Sequence, residues 1–332
     1  MPKYRIADLV IEMDCGGRTA KQAEPYLTDD SLTPDFSISI SAEEIEAARV
    51  HNPHLSTDEW EYILSATAFY RGLIHFNGFM LHASAILYQA RAFLFSAPSG
   101  TGKSTHTSLW QKHFGHERVR ILNDDKPAIR RIGDTIYAFG TPWSGKHDIS
   151  IPIGVPIAGI GFLERAEENT IEKMTSREAL QNLFSQTLRR LPDDDLDLLS
   201  EELSILLCQI PIYRLNCNIS EEAAVLAERT MNRPTANVSD DPNRSLLSIR
   251  EGYSLCIKAG SNIIACQDDS NFIGLTTLNS TGVFLFRQLQ YGATEEVLAN
   301  NLSREYEIDR TLAETDVKNF IARLRALNIL TQ

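Results

Sequence analysis

Ala92-Phe-Leu-Phe-Ser-Ala-Pro-Ser-Gly-Thr-Gly-Lys-Ser-Thr105 is the stretch on which the fold turns. Ala92 to Phe95 are apolar and read as a short buried strand. A helix is expected from about Ser104 to Phe114, closed by Gly115. The loop between them is rich in glycine and hydroxyl groups. Glycines let successive backbone N–H groups turn inward around an anion, and a helix N-terminus favours negative charge. A lysine and a hydroxyl then complete a cradle for phosphates and their divalent cation. Gly100 and Gly102 supply the turn, Lys103 the charge for the β- and γ-phosphates, and Ser104 a magnesium ligand. The expected cradle is Ser99, Gly100, Thr101, Gly102, Lys103, Ser104 and Thr105, with ATP and Mg2+ as its ligands. Ala97 replaces the first glycine of the usual pattern. The alternative is a glycine-rich turn with no ligand.

Asn123-Asp124-Asp125 follows a predicted strand, Val119 to Leu122, about twenty residues after Lys103. A carboxylate there suits a magnesium-binding role. Two adjacent acids allow one to lie near the metal and the other to take a proton from an attacking hydroxyl. Equally, Asp-Asp can be a polar turn that caps the next element. His82, in Met80-Leu-His-Ala-Ser84, precedes a strand expected beside the one ending at Phe95. It is a site residue or a structural histidine. Thr141-Pro-Trp-Ser-Gly-Lys146 is a loop with a tight turn, an aromatic ring and a cation. Lys146 either reaches a transferring phosphoryl group or an acidic substrate, or is a surface lysine. Arg165, Arg189 and Arg190 are further candidates for phosphate contact, and Asp193-Asp194-Asp195 reads as a solvated helix start.

The chain has 332 residues, 43% apolar and 23% charged, which is ordinary globular composition with two domains expected. With 32 Lys and Arg against 44 Asp and Glu the net charge is −12, which argues against bulk binding of nucleic acid. No apolar run spans a bilayer and the N-terminus lacks a signal-peptide core, so neither a nucleic-acid nor a membrane partner is expected. Five cysteines without a Cys-x-x-Cys pair fit a reducing, cytoplasmic setting. Homo-oligomerisation stays open.

Ser41-Ala-Glu-Glu44, Ser56-Thr-Asp-Glu59 and Thr175-Ser-Arg-Glu178 are capping boxes that open helices. Ala128 to Ile132 and Thr135 to Phe139 flank Gly133-Asp134 as a hairpin, which speaks against an all-parallel sheet. A Pro- and Asn-rich linker is expected over 229–245. Beyond it, three strands (Tyr253–Lys258, Asn262–Gln267, Phe272–Thr277) precede three helices (about Thr281–Gln290, Thr294–Glu305 and Ala313–Ile329). Val317, Phe320, Ile321, Leu324 and Leu327 form the apolar stripe of the last helix, and the whole reads as a winged-helix-like module.

Leu81-His-Ala-Ser84, Ser99-Gly-Thr-Gly-Lys-Ser104 and Asn123-Asp-Asp125 resemble, in order and spacing, the catalytic domain of HPr kinase/phosphorylase over about residues 75–165. That family shares its P-loop fold with the C-terminal half of phosphoenolpyruvate carboxykinase and phosphorylates a serine hydroxyl on a protein. The resemblance implies phosphate binding from Gly100 to Thr105, a base at Asp124 beside His82, and magnesium near Ser104 and Asp125. The family's Glu-Val-Arg-Gly-type signature is missing after the Asp-Asp pair, where Pro142-Trp-Ser-Gly-Lys146 stands instead. The resemblance therefore stops short of the phosphorylase reaction and of HPr as substrate. It leans toward the divergent kinases found with ribosomally made peptides, including those acting on lasso-peptide precursors. Leu275-Thr-Thr-Leu-Asn-Ser-Thr-Gly282, with Thr294-Glu-Glu296 and Tyr306-Glu-Ile-Asp309, resembles the PqqD-like domain, which adds a leader peptide to its sheet as a strand. Residues 246–332 carry 8 Lys and Arg against 10 Asp and Glu, a net −2 that disfavours DNA.

The expectation is an α/β P-loop domain with a mixed sheet, joined to a small C-terminal α+β domain. It divides as an accessory segment over 1–75, packed on a catalytic domain over 76–228, a linker over 229–245 and a peptide-recognition domain over 246–332. No chemistry is legible in 1–75. The function expected first is an ATP- and Mg2+-dependent kinase for a Ser or Thr of a precursor peptide. An HPr-kinase-like regulator of a carrier protein and a nucleotide-switched DNA-binding regulator are the alternatives.

Overall fold

A computed structural model of the chain describes residues 1–145, 147–187, 191–232, 247–250, 253–258, 261–268, 271–327 and 329–331. Lys146, Arg189, Arg190, residues 233–245 of the expected linker and residue 246 lie outside the described residues. The chain divides into two units, Met1–Arg233 and Pro234–Gln332.

In the first unit the N-terminal stretch forms β1 (Lys3–Ile6), β2 (Leu9–Asp14), α1 (Gly17–Ala23), β3 (Phe36–Ser39), α2 (Ala42–Arg49) and α3 (Thr57–Ile74). Then come β4 (Gly78–Met80), β5 (Ala83–Tyr88), β6 (Arg91–Ser96), α4 (Lys103–Phe114), β7 (Val119–Asn123), β8 (Ala128–Ile132) and β9 (Thr135–Phe139). The unit closes with β10 (Gly154–Arg165), β11 (Thr170–Lys173), α5 (Ser176–Ser185), α6 (Asp193–Gln209), β12 (Ile212–Cys217) and α7 (Glu221–Met231).

Nine strands make one mixed sheet, ordered β4-β8-β9-β10-β6-β5-β7, with β12 on β10 and β11 on β12. The hairpin β8–β9 is antiparallel, whereas β6, β10 and β12 run parallel. β5 lies antiparallel to both β6 and β7. Residues at the end of β7 therefore reach the same sheet end as the start of β5 and the loop after β6. That topology brings Asp124, His82 and Lys103 to one edge.

All three expected capping boxes are present, at Ser41/Glu44, Ser56/Glu59 and Thr175/Glu178. α4 packs on the sheet through Trp110, fully buried against Phe93 and Phe95. α3 buries Tyr62, Ala66, Phe69, Tyr70 and Leu73 at helical spacing. These residues share one core with β1 and β2, with Tyr137 and Phe139 of β9, and with Trp143. Trp143 is fully buried, stacked 4.8 Å from Phe69, with its indole N–H on Ser65 Oγ at 3.2 Å. Truncating such a ring costs about 3–5 kcal/mol. The loop after β9 is thus pinned by its aromatic residue, which serves packing.

Two expectations are corrected here. α7 continues to Met231, fully buried, so the linker cannot begin at 229: its first residues are the last turn of a helix. Asp193 and Asp194 are exposed at the start of α6, but Asp195 is buried and lies 3.3 Å from His75, so the run is only partly solvated.

The second unit has β13 (Ser248–Ile249), β14 (Tyr253–Lys258), β15 (Ser261–Asp268), β16 (Asn271–Leu278), α8 (Ser280–Leu289), α9 (Glu295–Glu305), α10 (Arg310–Ala326) and β17 (Leu330–Thr331). Its sheet is an antiparallel meander, β14-β15-β16, as three strands close in sequence predict. Val317, Ile321 and Leu324 face a separate core with Leu285, Phe286, Leu298 and Leu302. α10 ends at Ala326, short of Ile329, because the chain turns to pair β17 with β13. Among the described residues no helix is long and apolar enough to cross a membrane.

Candidate functional site

β6 ends at Ser96 and α4 begins at Lys103, so the intervening backbone crosses the open N-terminus of a helix. Gly100 and Gly102 hold φ of +79° and +124°, which L side chains rarely adopt, and the Cβ that each lacks would meet nothing within 4 Å. Backbone shape thus demands glycine, and the space in front is open. Arg165 braces the loop: Nη2 donates to Gly100 O at 2.6 Å and Nε to Thr101 O at 3.1 Å. With two donors turned to loop carbonyls, Arg165 shapes the cradle. Ser99, Ser104 and Thr105 are exposed beside it.

Lys103 is buried at 8% exposure and donates from Nζ to Ala97 O at 2.9 Å. Burial lowers its pKa, while Asp125 and Asp124 work the other way. The carbonyl at position 97 holds the ammonium in the mouth of the loop.

Ser104 Oγ donates to Asp124 Oδ2 at 3.1 Å, and Ser84 Oγ donates to Asp124 Oδ1 at 2.7 Å. Ser84 also meets Thr107 Oγ1 at 3.1 Å, which ties β5 to α4. Asp125 points elsewhere. One of its oxygens lies 3.3 Å from His82 Nε2 and the other takes the Lys126 ammonium. Burial works against its charge, but His82 and Lys126 hold it down at about 2. The second nitrogen of His82 is 3.1 Å from Gln186 Oε1, so the ring is held from both sides.

The family resemblance implied magnesium near Ser104 and Asp125, and the base at Asp124 beside His82. The contacts pair the groups the other way, Ser104 with Asp124 and His82 with Asp125. The reason is the turn at the end of β7. Asn123 Oδ1 accepts from the backbone N–H of Asp125 at 3.0 Å and of Lys126 at 2.7 Å. Its Nδ2 donates to Thr141 O at 3.0 Å, to Thr141 Oγ1 at 3.2 Å and to Ser150 Oγ at 3.3 Å. This fully buried amide closes a turn that sends consecutive carboxylates to opposite partners. Tyr70 fixes the same turn through its hydroxyl, which bonds Lys126 O and Thr141 Oγ1.

Asn123→Ala leaves buried donors and acceptors unpaired, a cost of about 1–3 kcal/mol. It should lower the melting temperature and misdirect Asp125 while nucleotide affinity, measured by calorimetry, stays near wild type.

Asn123 and Ser84 lay inside the quoted motifs, but nothing in the sequence marked what they hold. Gln186 and Tyr70 carried no signal at all. Lys146, expected as a catalytic cation, lies outside the described residues.

Residues 272–330 match the family described as Coenzyme PQQ synthesis protein D (PqqD). Comparison with curated proteins gives no match. Among solved structures the chain is similar to the Hpr(Ser) kinase/phosphatase from Coxiella burnetii, at 10% identity and a TM-score of 0.25, covering 46% of this chain and 94% of that one.

Proposed function

We propose that the first unit is an ATP- and Mg2+-dependent kinase acting on a Ser or Thr hydroxyl of a ribosomally made precursor peptide, in a reducing cytoplasm, and that the second unit holds the peptide's leader. The observation that carries this reading is the sorting of two adjacent carboxylates at the mouth of one P-loop: Asp124 on the Ser104 hydroxyl, Asp125 on His82.

Both ligands fit these residues. The open glycine cradle with Lys103 suits a triphosphate. Ser104 and Asp124 are hard oxygen donors 3.1 Å apart, the set that Mg2+ takes together with substrate phosphates. When bound, Mg2+ would neutralise charge on the β- and γ-phosphates. The chain's own work is positioning and electrostatics, because phosphoryl transfer asks little covalent chemistry of the protein. Lys103 and the loop amides fix the γ-phosphate. Asp125 accepts a hydrogen bond from the incoming hydroxyl and takes its proton as the oxygen–γ-phosphorus bond forms and the γ-phosphorus–bridging-oxygen bond breaks, with ADP as the leaving group. The His82 and Lys126 contacts hold its carboxyl below the usual carboxylate range, so it meets the hydroxyl in its charged form. His82 keeps the carboxylate turned to the acceptor.

The PqqD match covers β16 to the start of β17, and the backbone of β16 pairs with β15 along one edge. An extended leader adding to the other edge is the mode that such a meander offers. Each unit has its own core, so a chain ending at residue 233 should keep its phosphotransfer site. Tethering raises local substrate to roughly millimolar for a short flexible linker. Truncation should therefore raise KM for a full precursor on the order of 10²-fold, while a leaderless core peptide is phosphorylated as poorly as before. Incubation with labelled ATP and candidate precursors, with and without residues 234–332, measures this. Equal KM for the two proteins would remove the recruitment role. Label on a folded carrier protein in place of any peptide would move the substrate.

A further inference from the structure

Arg18 and Tyr62, both in the N-terminal stretch, meet the loop that faces Asp125. Gly145 has φ +78°, and a Cβ there would lie 2.9 Å from Asp125 Cβ. This peptide therefore forms a wall directly against the carboxylate. Both of its neighbouring polar groups are held from the N-terminal stretch. The Gly145 N–H donates to the Tyr62 hydroxyl at 3.1 Å, and Gly145 O accepts from Arg18 Nη2. The two holding residues also touch each other, with the Arg18 guanidinium 4.0 Å from the centre of the Tyr62 ring. Burial pushes the Tyr62 hydroxyl up to about 12, so it stays protonated.

The bracket is itself anchored. Arg18 Nε donates to Gln22 Oε1 at 3.2 Å, and its backbone N–H donates to Asp58 Oδ1 at 2.9 Å. Glu61 takes the N–H of Gly16 at 2.6 Å. Asp58, Glu61 and Tyr62 all belong to α3, whose Phe69 stacks on Trp143, two residues before Gly145. One helix thus holds the wall loop at Trp143 and, with Arg18, at Gly145.

We propose that Arg18 and Tyr62 are positioning residues for phosphotransfer: by clamping Gly145 against Asp125 they set where the carboxylate meets the acceptor hydroxyl. This rests on the kinase reading above. Neither residue touches the phosphate cradle, so nucleotide binding should not depend on them. Misplacement by about 1 Å can cost 10²-fold in rate.

The test pairs kinetics with a measurement that needs no turnover. Arg18→Ala should lower kcat for transfer to peptide by about 10–100-fold, with KM for ATP and calorimetric ATP affinity unchanged. Tyr62→Phe keeps the ring under the guanidinium but loses the acceptor for Gly145 N–H, and should fall between Arg18→Ala and wild type. Arg18→Lys keeps a cation over the ring and should recover part of the loss. Gly145→Ala pushes on Asp125 directly and should reach the same low kcat. Independently, amide exchange of the 141–150 segment, read by mass spectrometry without nucleotide or peptide, should quicken in Arg18→Ala and Tyr62→Phe while the melting temperature holds. Unchanged exchange overturns the clamp whether or not the protein turns over. Normal kcat in Arg18→Ala beside an active wild type overturns the positioning role and leaves the kinase intact. Wild-type protein that transfers phosphate to no hydroxyl removes the kinase reading, and with it this role.

Discussion

Lys103→Ala is expected to abolish phosphotransfer and to weaken ATP binding about 10–100-fold, because a charge-assisted hydrogen bond contributes about 1.5–3 kcal/mol. The residue sits where that loss is felt in full. Its ammonium is nearly buried at the loop mouth, tied to the carbonyl of Ala97, and two carboxylates work to keep it charged. The fold should tolerate the change, since the core beneath α4 is built by Trp110, Phe93 and Phe95. Calorimetric titration with ATP and Mg2+, next to a melting curve, separates binding from folding. Unchanged affinity at an unchanged melting temperature would contradict a P-loop role for residues 99–105.

Asp125→Asn should do the opposite, keeping ATP affinity and losing turnover by about 10²–10⁴. The amide is nearly isosteric but cannot take a proton, and it gives up the charge that holds His82 and Lys126. Asp124→Asn should differ in kind. It weakens the oxygen set shared with Ser104, so its defect should appear as a raised Mg2+ requirement that added metal relieves in part. Kinetics over a range of Mg2+ for the two variants distinguish the roles. If Asp125→Asn were the metal-dependent variant, and Asp124→Asn the one with tight binding and dead turnover, the assignment would revert to the one the family resemblance implied.

Much of this protein is written in short-range patterns. The strand–loop–helix around Lys103 is legible because its determinants are adjacent: an apolar run, glycines where the backbone must turn left-handed, then a helix. The three capping boxes and the β8–β9 hairpin are equally local, as are the strand meander and helices of the second unit. Each depends on residues within a turn or two of one another. Where the last turn of α7 ends was harder to read, because Met231 is held by packing beside Gly159 and Gly161 of β10, far away in sequence.

The different partners of the two carboxylates were not legible. Asp124 and Asp125 are the same residue type at consecutive positions. What distinguishes them is the buried Asn123 turn and the partners that β5 and α4 bring to each side. Trp143 read as a ring in a candidate binding loop, yet α3 claims it for the core. Arg18 and Tyr62 lay in a segment without visible chemistry, and Arg18 is 127 residues from the carbonyl it holds. Local sequence determined the glycine loop between β6 and α4, because backbone shape and residue type suffice for that. Only tertiary packing decided which carboxylate meets Ser104 and which meets His82, because those contacts join elements that no periodicity or motif links along the chain.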